Sequence, residues 1–111
     1  MIRYNILTNR QAREQFIEGC LRLKREPLNG VTLYDYFVWW HHRAMNRMTP
    51  QTGLNPFGRN AAHGGPSFGP WHRYLILIFE FQLRRVLQDD DFRIPYWDWG
   101  ADSTAPFQSA I

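Results

Sequence analysis

The sequence predicts an all-α fold, an antiparallel bundle of about three helices with a long Gly/Pro-rich loop and an extended aromatic C-terminal segment. Three observations predict it. Apolar residues recur at helical spacing in three segments. Capping residues and prolines mark the ends of these segments. Hydrophobic residues make up 44% of the chain and aromatic residues 16%, which excludes a disordered tail. With 111 residues, the chain forms one domain at most.

The first helix is predicted from a capping pair and an apolar face. Thr8 and Gln11 have the spacing of a capping box, and Pro27 requires the helix to end before it. Between them, one face of the helix carries six apolar residues, which are Ala12, Phe16, Ile17, Cys20, Leu21 and Leu23. The segment "EPLNG" that follows, Glu26 to Gly30, is predicted to be a turn.

The second helix is predicted from the same capping pattern. Thr32 and Asp35 open a helix that runs roughly from Leu33 to Met48 and is ended by Pro50. The segment is densely aromatic.

The remaining part of the chain is a loop, a third helix and an extended segment. Residues Thr49 to Pro70 are rich in Gly, Pro, Asn and Ser and predict a long irregular loop. Pro70 suits the first turn of a helix, which continues to about Leu87. The segment "IPYWDWG", Ile94 to Gly100, is predicted to be extended. Because "YLILIFEF" (Tyr74 to Phe81) is apolar on most sides, we expect an exposed apolar patch on the third helix.

Charge, cysteine count and hydropathy exclude several classes of protein. The 13 Lys and Arg and 10 Asp and Glu are spread along the chain, so nucleic-acid binding is not indicated. The single cysteine, Cys20, excludes an internal disulfide framework. No signal peptide and no membrane-spanning run is evident. A soluble protein is expected, either cytoplasmic or exported by a partner.

Three of the four histidines are predicted to converge on one metal ion. His41 shares the apolar stripe of the second helix, His72 lies in the first turn of the third helix, and His63 lies in the loop. If the two helices pack antiparallel, all three imidazoles point into the bundle interior. Neutral imidazole suits copper, zinc, iron and nickel. The positive end of the third helix dipole disfavours imidazolium and keeps His72 available as a ligand.

Position alone leaves other interpretations open. A single histidine on an apolar helix face is more often a hydrogen-bonded core residue than a metal ligand. The doublet "WWHH" can be a packed aromatic ridge. Three histidines and a water molecule also form a known zinc site.

Three segments, in this order and at these intervals, resemble the first-copper half of a tyrosinase, a type-3 copper protein. They are "YDYFVWWHH" (Tyr34 to His42), "AHGGPSFGPWHRYLILIFEFQL" (Ala62 to Leu83) and "IPYWDW" (Ile94 to Trp99). The resemblance implies that the bundle is an incomplete form of the four-helix core of that family. It also implies that residues 1–111 are a tyrosinase copper-binding domain limited to its first-copper half.

The resemblance implies a role for several residues. His41, His63 and His72 match the three histidines that hold one copper ion, and Phe68 matches an aromatic residue packed near those rings. His42 has no counterpart among the ligands and is expected to contact a ligand or lie at the surface. Some relatives carry a cysteine, cross-linked to a histidine, where this chain has Ala61. The chain therefore cannot form that thioether.

The resemblance also implies an activity that one chain cannot complete. Tyrosinases use paired copper ions and O₂ to oxidise monophenols or ortho-diphenols to ortho-quinones, and the pair requires six histidines. This chain has four histidines, with none after His72. The second trio is expected from missing sequence, from a second chain or from a second copy. Alternatives are a catalytically incomplete copper-binding or interaction module and a haemocyanin-like oxygen binder.

Two further expectations concern the surroundings of the metal. Phe37, Trp40, Phe68 and Trp71 are expected to form an aromatic wall that keeps the site dry. At least one imidazole is expected to donate its second N–H to a carbonyl or carboxylate, with Asp98 as a candidate acceptor.

Overall fold

The computed structural model of the protein describes residues 2–48, 59–60 and 62–102. The elements in chain order are α1 (Arg10–Arg25), β1 (Pro27–Leu28), β2 (Val31–Thr32), α2 (Leu33–Asn46) and α3 (Phe68–Leu87). The chain divides into two compact units, one formed by Met1–Leu23 with Glu80–Ile111 and the other by Lys24–Phe79. The fold is mostly helical, which confirms the predicted class.

Helix α1 begins at Arg10, one residue later than a cap at Thr8 would place its start. The Asn9 side-chain oxygen accepts a hydrogen bond from the Ala12 backbone N–H at 2.9 Å, so Asn9 caps the helix. The prediction that Thr8 is the cap was therefore wrong. Two residues assigned to the apolar face, Ile17 and Leu21, remain 47% and 41% exposed.

In the first unit, α1 packs against the second half of α3. Gly19 lies so close to α3 that a Cβ atom at this position would be 2.7 Å from a Leu83 methyl group. Nearby on α1, the Arg22 guanidinium donates a hydrogen bond to the Val86 carbonyl at 2.7 Å. The absence of a side chain at Gly19 thus permits the close approach of the two helices.

Around Tyr96, the C-terminal aromatic segment is extended, as predicted, and pairs with the N-terminal segment. The predicted segment ends in a turn at Trp99 and Gly100, where the Ala101 and Asp102 N–H groups donate to the Asp98 carbonyl. The Ile6 N–H donates to the Tyr96 carbonyl and the Tyr96 N–H donates to the Tyr4 carbonyl, both at 2.9 Å. The pairing of Asn5 with Tyr96 is parallel. These bonds satisfy backbone groups that a nonhelical segment cannot satisfy internally.

A buried carboxylate, Glu80, is held by two arginines in the first unit. Its side chain accepts hydrogen bonds from Arg3 at 2.6 Å, from the Ile94 backbone N–H at 3.0 Å, and from Arg84. Burial raises the pKa of Glu80, but the Arg3 and Ile94 hydrogen bonds and the two nearby positive charges outweigh it, and the pKa lies below its ordinary value. Glu80 is therefore ionised in the folded protein.

The lowered pKa of Glu80 predicts an acid-dependent loss of stability. A carboxyl group with a depressed folded-state pKa contributes stability above its unfolded pKa of about 4.3. That contribution is lost as the pH falls through the folded value. We expect the difference in unfolding free energy between wild type and Glu80→Gln to be largest near neutral pH and to shrink below about pH 4. Urea titrations at several pH values measure it, and a difference that stays constant down to about pH 3 would contradict it.

In the second unit, the turn predicted at Glu26 to Gly30 is part of a two-stranded antiparallel hairpin. Strand β1 pairs with β2, with Pro27 opposite Thr32 and Leu28 opposite Val31. The two residues between the strands, Asn29 and Gly30, have φ of +50° and +87°. Positive φ at both positions is typical of the type I′ turn, which favours the Asn-Gly dipeptide.

Two glycine substitutions test the assignment of this turn, because they are expected to change the stability of the protein differently. Gly30→Ala places a Cβ in the left-handed region and is expected to destabilise the protein by about 1 kcal/mol. Gly69→Ala lies in the first turn of α3, where an added Cβ would meet open space, and is expected to be neutral or to stabilise by up to about 1 kcal/mol. Thermal unfolding of both variants checks the assignment. Equal effects of the two substitutions would contradict it.

Helix α2 is capped as predicted and ends earlier than predicted. The Thr32 hydroxyl accepts a hydrogen bond from the Asp35 backbone N–H at 3.1 Å. The helix ends at Asn46, two residues before the predicted end at Met48. The proposed stop at Pro50 lies outside the described residues. Residues 49–58 and 61 of the predicted loop also lie outside them.

Helix α2 and the first half of α3 pack antiparallel in this unit. The Phe37 and Phe79 rings are in edge contact with centroids 5.1 Å apart, near the start of α2. Further along α2, the Trp40 and Trp71 centroids are 6.2 Å apart. Because the contacts run in opposite chain directions on the two helices, the predicted antiparallel arrangement is confirmed. Helix α3 begins at Phe68, which puts Pro70 in its first turn as predicted.

The apolar surface expected on α3 is present. Tyr74, Leu77 and Phe81 are 57%, 57% and 61% exposed. In the part of the chain that the structure describes, no helix has both the length and the hydropathy required to cross a membrane.

Candidate metal centre

The two helical histidines are brought together by the antiparallel packing of α2 and α3. His41 lies in the second half of α2 and His72 in the first turns of α3. Because the two helices run in opposite directions, the C-terminal half of α2 lies beside the start of α3. His41 and His72, 31 positions apart in the chain, therefore meet with their Nε2 atoms 3.3 Å apart.

His63 reaches the same place from the loop before α3. The Asn60 side-chain oxygen accepts hydrogen bonds from the backbone N–H groups of Ala62 and His63, which closes a tight turn. Gly64 follows with φ of +76°, a conformation that favours glycine. The His63 ring centroid is then 5.2 Å from that of His41 and 4.9 Å from that of His72.

The three imidazoles are positioned to bind one metal ion. One nitrogen from each of His41, His63 and His72 can be chosen so that all three lie within 4.8 Å of one another. Two nitrogens bound at about 2.0 Å to one ion with tetrahedral angles would be about 3.3 Å apart, the separation found between His41 and His72. The donor set and its spacing therefore fit a metal ion with an open coordination position.

Hydrogen bonding fixes the tautomer of His72. Its Nδ1–H donates to the Phe68 carbonyl at 2.7 Å, which leaves the Nε2 lone pair for a metal ion. This confirms the expectation that an imidazole donates its second N–H to a carbonyl. The acceptor for His72 is this carbonyl and not the suggested Asp98, whose carboxylate accepts from the Ala101 N–H in its own turn.

The pKa of His41 also favours the neutral ligand form. Burial lowers the pKa of His41, and the neighbouring His63, His72 and His42 lower it further. Its ring is therefore neutral at physiological pH, which is the state that binds metal ions.

Aromatic rings cover two sides of the histidine cluster. The Phe68 centroid is 4.4 Å from that of His72 and 5.8 Å from that of His63. The Trp71 centroid is 4.9 Å from that of His72 and 5.6 Å from that of His41. Phe68 lies beside the imidazoles, as the family resemblance implies. Phe37 and Trp40 are the other two residues expected in the aromatic wall. Phe37 packs on Phe79, and Trp40 packs on Trp71.

His42 is exposed and hydrogen-bonds with the Asn46 side chain of its own helix at 3.1 Å. His42 therefore lies at the surface, one of the two positions expected for it. Sequence reasoning missed two groups that position the ligands, the Phe68 carbonyl and the Asn60 side chain. The Asn-X-X-His spacing, typical of an Asx turn, was the available signal for Asn60.

The chain matches one protein family over most of its length. Residues 31–110 match the family model of the common central domain of tyrosinase. Among curated proteins, the tyrosinase of Pelophylax lessonae is 39% identical over 69 residues, covering 62% of this chain and 13% of the relative. The tyrosinase of Coturnix japonica is 41% identical over 71 residues, covering 63% and 26%.

The chain is also similar to an oxidase that is not named a tyrosinase. The 5,6-dihydroxyindole-2-carboxylic acid oxidase of Mus musculus is 30% identical over 102 residues, covering 84% of this chain and 19% of the relative. The chain thus spans between 13% and 26% of the length of these three relatives. The match of most of its residues to the central domain, together with three imidazoles positioned for one metal ion, shows that the chain belongs to the tyrosinase family of copper proteins.

Proposed function

We propose that His41, His63 and His72 bind one copper ion per chain and that this centre serves the oxidation of phenols by O₂. The observation that carries the proposal is the convergence of one nitrogen from each ring within 4.8 Å. The family supplies the identity of the metal, since zinc would accept the same three imidazoles. Residues 1–111 then constitute the part of a tyrosinase domain that holds its first copper ion.

Each surrounding residue has a defined task in this proposal. The Phe68 carbonyl orients the His72 ring, and Asn60 fixes the turn that presents His63. The Phe68 and Trp71 rings pack against the imidazoles and help to hold their orientation. Copper, when bound, supplies the electron transfer between substrate and O₂, while the protein fixes the ligand geometry and leaves a coordination position open.

The proposed substrates are monophenols or ortho-diphenols. Each ortho-diphenol loses two electrons and two protons and becomes an ortho-quinone. Two ortho-diphenols therefore supply the four electrons and four protons that reduce one O₂ to two water molecules. For a monophenol, one oxygen atom enters the ring and the other leaves as water, so that phenol and O₂ give quinone and water. The names of the matched relatives, tyrosinase and 5,6-dihydroxyindole-2-carboxylic acid oxidase, support this substrate class.

A complete two-copper site would need a second histidine trio. The only other histidine of this sequence is His42, whose partner is Asn46. We propose that the second trio comes from further sequence of the same protein or from another chain. In either case, the three ligands of this chain are one half of the oxygen-reactive centre.

The experiment combines a copper count with oxygen consumption. The purified chain is loaded with copper, the bound copper is counted, and O₂ uptake with 4-methylcatechol is followed over a range of chain concentrations. We expect one copper per chain. If a second copy supplies the other trio, the rate per chain rises with concentration. Fewer than one copper ion bound per wild-type chain, or equal copper binding by wild type and His63→Ala, would contradict the proposal.

A further inference from the structure

A groove in the Lys24–Phe79 unit shares a wall with the histidine cluster. It has a volume of about 920 Å³ and lies along the exposed side of α2. Trp71, which contacts the rings of His41 and His72, also lines this groove. Its other aromatic walls are Tyr36, Trp39 and Trp40.

Two of the aromatic walls, Tyr36 and Trp39, are exposed. The Trp40 and Trp71 rings meet edge to face with centroids 6.2 Å apart, and the Tyr36 and Trp39 rings are 5.6 Å apart. Trp39 is 50% exposed and Tyr36 is 40% exposed. Large aromatic surfaces left accessible beside one another are suited to stacking with a planar ring.

Two arginines give the groove a positive charge. Arg43 and Arg47, four residues apart, both line it. The Arg43 guanidinium lies over the Trp39 ring, 5.3 Å from its centroid. Within residues 2–48, 59–60 and 62–102, neither arginine forms an ion pair with a carboxylate of the chain. Both guanidinium groups are therefore available to an anion.

The remaining polar groups do not cancel this charge. His42 and Asn46 also line the groove and hydrogen-bond to each other. The groove lies near the C-terminal end of α2, whose dipole disfavours anions. The dipole acts as about half a charge, whereas each guanidinium carries a full charge and forms charge-assisted hydrogen bonds with carboxylates. The balance favours an anionic ligand.

We propose that this groove is a second binding site, separate from the three-histidine centre, for a small planar aromatic carboxylate. The ring would stack on the Trp39 and Trp40 side of the groove, and the carboxylate would bind Arg43 and Arg47. The groove volume lies within the range of small-molecule sites, about 300–1,000 Å³. The site needs no metal ion, so it does not depend on the proposed copper function.

The test measures binding of 2-naphthoate to the metal-free 111-residue protein by calorimetry and tryptophan fluorescence. The uncharged isostere 2-naphthamide and inorganic phosphate are the comparison probes. We expect 2-naphthoate to bind at least about tenfold more tightly than 2-naphthamide, because only the acid forms charge-assisted bonds with the arginines. Phosphate, which lacks a ring, is expected to bind at least about tenfold more weakly than 2-naphthoate.

Substitutions then locate the site. Arg43→Ala and Arg47→Ala are each expected to weaken 2-naphthoate binding by about tenfold or more, with circular dichroism confirming that the variants fold. Arg43→Lys keeps the charge and is expected to lose less affinity than Arg43→Ala. Arg25→Ala removes an arginine that does not line the groove and is expected to leave binding unchanged. Equal binding of acid and amide, or full affinity in both arginine-to-alanine variants, would overturn the proposal.

Discussion

Replacing His72 with alanine is expected to abolish the binding of one copper ion per chain. The residue is one of the three proposed nitrogen ligands, and its Nε2 lies 3.3 Å from that of His41. Its loss leaves two imidazoles, and loss of one of three ligands is expected to reduce copper affinity by more than the roughly 10- to 100-fold seen for residues that merely support a ligand. Equilibrium dialysis followed by copper analysis measures the change.

The neighbouring histidine provides the matched control for that substitution. His42→Ala removes the same side chain one position after His41, but from the exposed side of α2, where it contacts Asn46. We expect this variant to bind one copper ion with unchanged affinity. Retained stoichiometric binding in His72→Ala, or an equal loss in His42→Ala, would contradict the assignment of the ligands.

The second large effect is expected from Glu80→Gln. The carboxylate is 1% exposed and is the shared partner of Arg3 and Arg84. A glutamine side chain has nearly the same shape but no charge, so two guanidinium groups would lose their counterion. Removing one partner of a buried ion pair costs about 3–5 kcal/mol. Because the Arg3 side chain is 41% exposed and water can solvate part of its charge, we expect about 2–4 kcal/mol.

An exposed ion pair in the same unit supplies the control. The Arg10 and Glu14 side chains are 81% and 60% exposed, and their Nε and Oε1 atoms are 2.7 Å apart. Glu14→Gln is expected to change the unfolding free energy by less than about 0.5 kcal/mol, since water replaces the lost partner. Urea unfolding compares the two variants. Similar effects of Glu14→Gln and Glu80→Gln would contradict the account of Glu80.

The helices of this fold could be predicted because their signals are local. Thr32 caps α2 through Asp35 as its spacing indicates, and Pro70 lies in the first turn of α3. The errors arise where two local signals compete. Thr8 and Asn9 are adjacent residues that both favour helix caps, and the choice between them depends on the preceding turn. The turn that contains Gly30 is predicted correctly, but strands of two residues have too little sequence pattern to be predicted.

The clustering of His41, His63 and His72 could be predicted from the sequence, whereas the groups that position their rings could not. The positions of the histidines on two apolar helices and the loop between them predict that the three rings converge. The family resemblance identifies the same three residues. The Phe68 carbonyl has no sequence signal, because any residue supplies one. Glu80 is similarly hidden within an apolar run, since its partners Arg3 and Ile94 lie 77 and 14 residues away in the chain. Such contacts depend on tertiary packing.

X-ray absorption spectroscopy of the copper-loaded protein identifies the atoms bound to copper, and so it shows whether His41, His63 and His72 hold the ion. We expect three imidazole nitrogens at about 2.0 Å from the copper ion. We also expect the signal of one imidazole to disappear in each of His41→Ala, His63→Ala and His72→Ala, while His42→Ala keeps all three. A copper ion bound by fewer than three imidazoles in the wild-type protein, or a spectrum unchanged by substitution of His63, would contradict this assignment.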